Sequence, residues 1–166
     1  MNNFITHTPA PTISPQSFGI AFENLVHNKL LETKKCIIRD KEIVKKYGKN
    51  NYGIDHLVYL DNYIIGIQDK WLKTKPSLHM INHFIKCIDN ISQIDQCKCV
   101  GIYLSNLPIT SGSQLAFNFE NLKNKNIFIN LYDSNMDLLF QKLFHLFYKN
   151  EIFKIDSDGD IFMLES

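Results

Sequence analysis

The sequence predicts an α/β fold in which a mixed central β-sheet lies between layers of helices. Segments with apolar residues at helical spacing alternate along the chain with short, continuously apolar segments, which is the pattern of an α/β sandwich. A hairpin predicted over residues 54–70 adds antiparallel pairing to the sheet. The chain has 166 residues, 45% of them hydrophobic, and can bury the core of one domain of ordinary size.

The first predicted element is a helix. Ser14 followed by Pro15 is typical of an N-cap and a first helical residue, and the helix is expected to end near Thr33. Its apolar stripe is formed by Phe18, Phe22, Leu25, Val26 and Leu30. A strand from about Cys36 to Val44 is predicted to precede the hairpin.

The hairpin is the most informative segment, because its turn fixes which residues face each other. Asp and Asn are favoured in two-residue hairpin loops, so Asp61 and Asn62 are predicted to form the loop. Asp55 then lies directly opposite Gln68, and the two-residue period places Lys70 on the same face. The isoleucine-rich strands around them are expected to be buried on both faces, where polar side chains need partners or a function.

The later elements continue the alternation of helices and strands. Apolar spacing predicts, in order, a helix that follows Pro76-Ser77 and runs to about Ile94, a strand over Cys99–Leu104, a short helix over Ser111–Leu122, a strand over Ile127–Tyr132 and a helix over Met136–Tyr148.

An acid, an amide and a lysine on one face suit the hydrolysis of a phosphodiester. The Asp55 carboxylate and the Gln68 side-chain oxygen can hold Mg²⁺, a hard cation that prefers oxygen ligands and keeps waters that a phosphate can replace. Lys70 can position the attacking water and stabilise charge on the phosphate. Glu23, one step outside the stripe of the first helix, is either a further ligand that reaches the sheet edge or a surface carboxylate. The alternative for the whole set is a half-buried hairpin whose polar residues face solvent.

Three short motifs occur in order along the chain: Phe22-Glu23-Asn24-Leu25-Val26, Gly53-Ile54-Asp55 and Ile67-Gln68-Asp69-Lys70-Trp71. In this order they resemble the Phe-Glu-x-x-Val, Gly-Ile-Asp and Gln-x-Lys-Trp elements of the PD-(D/E)xK nuclease superfamily, in particular of the Mrr-type restriction endonuclease branch. Residues 101–105 and 109–116 are similar to a later strand and helix of that family. The likeness spans about residues 17–132.

The resemblance implies a restriction-endonuclease-like three-layer sandwich and a metal-dependent DNA endonuclease. It implies that Asp55, Gln68 and Glu23 bind the metal and that Lys70 is the catalytic lysine. The implied cofactor is Mg²⁺, for which Mn²⁺ is expected to substitute. Asp69 stands where family members often have Cys or a small residue. Its backbone carbonyl is expected to face the metal, and its side chain to pair with a lysine.

The net charge of +1 hides an uneven distribution of basic residues. Residues 1–75 hold 11 Lys and Arg against 7 Asp and Glu, whereas residues 76–166 hold 7 against 10. Lys49, Lys73 and Lys75 are expected to contact DNA phosphates, although each alone also fits a solvated surface. Arg39 is the only arginine, so weak sequence specificity is expected.

Domain organisation and location follow from composition. Residues 1–13 are expected to form a flexible lead, and residues 14–166 a single nuclease domain. No apolar run could span a bilayer and the chain start lacks a signal peptide, so the expectation is a soluble intracellular protein without membrane contact, in the cytoplasm, or in the nucleus or a viral factory for a eukaryotic or viral source. The oligomeric state is left open, because the aromatic flank of the last helix is a surface through which a homodimer could form.

Three alternatives to a restriction-type endonuclease stay open. The first is a Holliday-junction resolvase-like nuclease that cuts four-way junctions as a dimer. The second is an RNA nuclease, because the metal site recognises phosphate rather than sugar. The third is a non-catalytic DNA-binding or assembly protein on the same fold, motivated by Gln68 in place of a carboxylate and by Asp69 beside the lysine.

Overall fold

The computed structural model describes residues 14–49, 53–149, 152–158 and 160–164, and the predicted lead over residues 1–13 lies outside them. The elements are α1 (Pro15–Leu31), β1 (Cys36–Arg39), α2 (Asp40–Tyr47), β2 (His56–Tyr59), β3 (Tyr63–Lys70), α3 (Leu78–Asp95), β4 (Lys98–Ser105), α4 (Ser111–Leu122), β5 (Ile127–Tyr132), α5 (Met136–Tyr148), β6 (Phe153–Ile155) and β7 (Ile161–Met163). Among the described residues, no helix has the length and apolar character needed to cross a membrane.

Five strands form one sheet in chain order, from β1 to β5. The pairs β1–β2 and β2–β3 are antiparallel, whereas β3–β4 and β4–β5 are parallel. Helices α1 and α5 pack on one face of the sheet, and α2, α3 and α4 pack on the other. The predicted α/β sandwich with a mixed central sheet is therefore confirmed.

The hairpin has the register that its turn predicts. His56 pairs with Ile67, and one step further along the ladder places Asp55 opposite Gln68. The Asp55 N–H donates to the Ile67 carbonyl at 2.9 Å, so the pairing continues past the formal end of β2. The turn at residues 61–62 thus determines which polar side chains meet at the far end of the strands.

A close approach of α3 to the sheet depends on Gly66 in β3. A Cβ at this position would lie 2.4 Å from Cδ1 of Ile88, closer than any real contact allows. Ile88 can therefore pack directly on the strand, and α3 covers the face on which Gln68 and Lys70 lie.

The segment after β1 differs from the prediction. The predicted strand to Val44 is wrong, because β1 ends at Arg39 and α2 begins at Asp40. Ile43 and Tyr47, four residues apart, are buried on one side of this helix. Asp40 has a φ of +36°, in the left-handed region, so the chain turns sharply at the junction.

Candidate metal centre

Three carboxylates converge at the end of the sheet where β1 stops and β2 begins. Glu23 comes from α1, Asp40 from the first residue of α2 and Asp55 from the residue before β2. One oxygen of each lies within 4.8 Å of the corresponding oxygens of the other two. Three acids this close repel one another, and a bound cation would offset that repulsion.

Aromatic packing fixes α1 beside the end of β3. Trp71, the residue after β3, lies with its ring centroid 5.8 Å from that of Phe18 and 5.3 Å from that of Phe22. Phe22 is buried in the core next to Glu23, so the packing directs the Glu23 carboxylate toward the strand ends.

Arg39 connects two of the three acids. Its guanidinium Nη2 lies 3.2 Å from Oε1 of Glu23, and its Nε lies 3.4 Å from Oδ2 of Asp40. The same Nη2 donates to Oδ1 of Asn24 at 3.0 Å. The only arginine of the chain thus holds the acidic cluster in place, and these contacts favour a role at the site over base recognition.

Asp55 is held by the strand that faces it. Its Oδ2 accepts a hydrogen bond from the Asp69 N–H at 2.9 Å. Because a carboxylate has two oxygens with several lone pairs, this bond fixes Asp55 and still leaves capacity for a ligand.

Gln68 carries a buried oxygen without a partner. The residue is 6% exposed, and its Oε1 has no hydrogen bond to any of the described residues. Leaving a buried acceptor unpaired costs about 1–3 kcal/mol, so each such atom in a folded chain requires an explanation. Lys70 follows two residues later on the same face, and its charge lowers the pKa of Asp55.

The pKa values of the acids respond to burial and to their mutual repulsion. Burial, followed by the charge of Asp69, raises the pKa of Asp55 to about 7, although the Asp69 N–H and Lys70 oppose the change. Burial, a hydrogen bond with Asp40 and the charge of Asp55 raise the pKa of Glu23 to about 7. In the absence of a cation, the site therefore resists full ionisation at neutral pH.

The raised pKa of Asp55 predicts how the metal-free protein responds to pH. A carboxyl with a higher pKa in the folded chain contributes stability at low pH, which is lost as the pH rises through about 7. Compared with the Asp55→Asn variant, the wild type in EDTA should lose roughly 5 °C of Tm between pH 5 and pH 8. Calorimetric melting of both proteins measures this difference, and parallel pH profiles would contradict it.

Asp69 points to the opposite face of the sheet, as predicted, but its partner is a histidine. Its Oδ2 lies 2.5 Å from Nε2 of His56, whose side chain is fully buried. The predicted pairing with a lysine is wrong, because strand alternation places Lys70 on the other face and His56 diagonally across on this one. Burial raises the pKa of Asp69 to about 7 and lowers the pKa of His56. The arrangement that suits both groups is one proton shared between the Asp69 carboxylate and Nε2 of His56. The His27 ring of α1 stacks on His56 with centroids 5.8 Å apart.

The lysines predicted to bind DNA lie outside the cluster. Lys73 and Lys75 are exposed on the segment between β3 and α3, close in sequence to Lys70. Lys49 is exposed after α2 and, with His83 and Lys86, lines a groove of about 550 Å³. The structure thus brings Glu23, Asp55, Gln68 and Lys70 to one end of the sheet, but it does not place these three lysines among them.

Comparisons with known proteins give no relative from which a function could be transferred. The chain matches no family model, and no curated protein or solved structure shows significant similarity to it. By its fold and site, the protein is an α/β sandwich with a cluster of carboxylates and one amide at one end of the sheet.

Proposed function

We propose that the protein is a metal-dependent endonuclease of restriction-endonuclease-like fold that hydrolyses phosphodiester bonds in DNA. The observation that carries the proposal is the unpartnered, buried Oε1 of Gln68, directly across the hairpin from Asp55. The resemblance to the Mrr-type nucleases concerns these same two residues and Lys70. Side-chain chemistry, strand register and burial therefore all support a metal site at Asp55 and Gln68.

The donor set fits a hard divalent cation. Carboxylates of Asp55, Glu23 and Asp40 and the amide oxygen of Gln68 supply oxygen ligands only, as Mg²⁺ and Mn²⁺ prefer. His56 faces the other side of the sheet, where Asp69 engages it, so this imidazole does not join the set. The proposed cofactor is therefore Mg²⁺, with Mn²⁺ as a substitute, and the proposal adds Asp40 to the ligands predicted from sequence.

In the proposed reaction, some residues hold the metal and another stabilises charge. A bound cation would supply Lewis acidity at the scissile phosphate and at the attacking water. Asp55, fixed by the Asp69 N–H, and Gln68 hold the ligand position, whereas Lys70 contributes positive charge beside it. In the hydrolysis, the water oxygen would bond to phosphorus as the water gives up one proton, one P–O ester bond would break, and the leaving oxygen would take up a proton.

Cleavage of supercoiled plasmid tests this function. Nicking or linearisation in Mg²⁺ or Mn²⁺ that EDTA abolishes is the expected result. A four-way junction cut in preference to linear duplex would identify a resolvase-like enzyme, and selective cleavage of RNA would identify a ribonuclease. Folded protein that cleaves none of these substrates would contradict catalysis and favour a DNA-binding or assembly protein.

The two lysines that follow β3 are expected to bind the phosphates that flank the cut. Charge reversal by Lys73→Glu with Lys75→Glu should weaken duplex binding in EDTA at least about tenfold and reduce the salt dependence of log K by about 1–2. Fluorescence anisotropy over a salt series measures both quantities.

The matched control is Lys34→Glu with Lys35→Glu, two exposed lysines in the turn between α1 and β1. This turn leads into Cys36, which pairs with Tyr59 at the hairpin end of the sheet, away from the acids. Equal losses of affinity in both double variants would show that binding follows overall charge and not the site.

A further inference from the structure

Tyr103 in β4 carries another buried polar atom without a partner, and it lies beside Gln68 in the proposed site. Its side chain is fully buried, and its hydroxyl has no hydrogen bond to any described residue. Burying a hydroxyl costs free energy that a hydrogen bond normally offsets, so an unpaired one in a well-packed core requires an explanation.

Strand pairing places Tyr103 next to Gln68. The two residues are register partners in the parallel β3–β4 ladder, so their side chains are neighbours on the face that α3 covers. The Phe84 ring of α3 packs edge-on against the Tyr103 ring, with centroids 5.6 Å apart. Burial, and after it the charge of Asp55, raises the pKa of Tyr103, which agrees with a hydroxyl in electrostatic reach of that carboxylate.

Two orphaned oxygens on neighbouring strands point to one missing group between them. Gln68 Oε1 is a buried acceptor, the Tyr103 hydroxyl is a buried group that can donate and accept, and Asp55 lies across the hairpin from Gln68. A hydrated cation satisfies such a set, because the metal takes one oxygen and its water molecules donate to the others. A dry apolar cavity would leave both oxygens unsatisfied.

We propose that Tyr103 is a positioning residue whose hydroxyl accepts a hydrogen bond from a water bound to the metal at Asp55 and Gln68. This inference rests on the proposed function, since it requires that metal. Water bound to a divalent cation is a strong donor, and the tyrosine oxygen has a free lone pair to accept it. Tyr103 then orients the hydration shell without being a ligand itself.

The test measures the effect of the Tyr103 hydroxyl independently of the effect of its ring. Tyr103→Phe removes only the oxygen and keeps the contact with Phe84. In EDTA its Tm should equal or exceed that of the wild type, because an unpaired buried hydroxyl is lost. Calorimetric titration with Mn²⁺ should give a Kd about fivefold weaker than wild type, the loss expected for one hydrogen bond.

The control is Tyr63→Phe at the other end of β3, where the Tyr63 ring packs edge-on against Phe153. It should bind Mn²⁺ like the wild type. An unchanged Kd for Tyr103→Phe, or a metal-free Tm several degrees below wild type, would overturn the role of Tyr103 and leave the metal site standing. A wild type that does not bind Mn²⁺ would overturn the proposed function itself.

Discussion

Replacing Asp55 by asparagine should abolish metal-dependent cleavage, with a fall in kcat of at least about 1,000-fold. Asparagine keeps an oxygen that can accept the Asp69 N–H, so the hairpin should stay intact. It removes the negative charge that anchors the cation between Gln68 and the other acids. Cleavage rates at saturating Mg²⁺ measure the effect.

The same variant should lose its response to metal in thermal unfolding. A ligand at 100 times its Kd stabilises the folded state by about 2.7 kcal/mol, or roughly 5–10 °C of Tm for a chain of this size. We expect that increase for the wild type in Mn²⁺ and almost none for Asp55→Asn. Asp61→Asn, the same chemical change in the exposed hairpin loop, is the control and should behave like the wild type. Full activity of Asp55→Asn would exclude the site.

Replacing Lys70 by methionine should lower cleavage by about 100-fold to 1,000-fold and leave metal binding intact. Methionine keeps most of the side-chain stem and loses the ammonium, which in our account acts on the phosphate and the attacking water. Because the charge of Lys70 opposes a nearby cation, its removal should leave the Kd for Mn²⁺ unchanged or slightly lower.

Together, the Asp55→Asn and Lys70→Met variants distinguish loss of metal binding from loss of the cleavage step itself. Single-turnover cleavage and Mn²⁺ titration are measured on the same preparations, with Lys35→Met as the control for an exposed lysine away from the acids. If Lys70→Met also lost metal binding, its role would be to hold the site together. If it cleaved at the wild-type rate, the lysine would have no part in the reaction.

Local rules explain why the hairpin could be read from sequence. A two-residue turn at Asp61 and Asn62 sets the register, and the alternation of strand side chains then places Asp55, Gln68 and Lys70 on one face. The bounds of α4, β5 and α5 likewise follow from short-range apolar spacing. Such features depend on neighbours within a few residues and need no knowledge of tertiary packing.

Other parts of the site depend on contacts that local patterns do not encode. Asp40 lies inside the segment predicted as one strand from about Cys36 to Val44, whereas the chain turns at a left-handed Asp40 and continues as a helix. A signal was present in the acidic residues of the first turn of α2 and the lysines of its last turn, which suit a helix dipole. The place of Tyr103 follows only from the parallel register of β3 and β4, which no turn determines.

The most direct measurement is anomalous diffraction from crystals grown near pH 8 with MnCl₂. We expect one strong peak at about 2.2 Å from a carboxylate oxygen of Asp55 and from Oε1 of Gln68, with Glu23 or Asp40 beside it. Such a peak would place the cation where hydrolysis requires it. Crystals without a peak, or with a peak on Glu23 and Asp40 that leaves the Gln68 oxygen unbound, would contradict the proposed site.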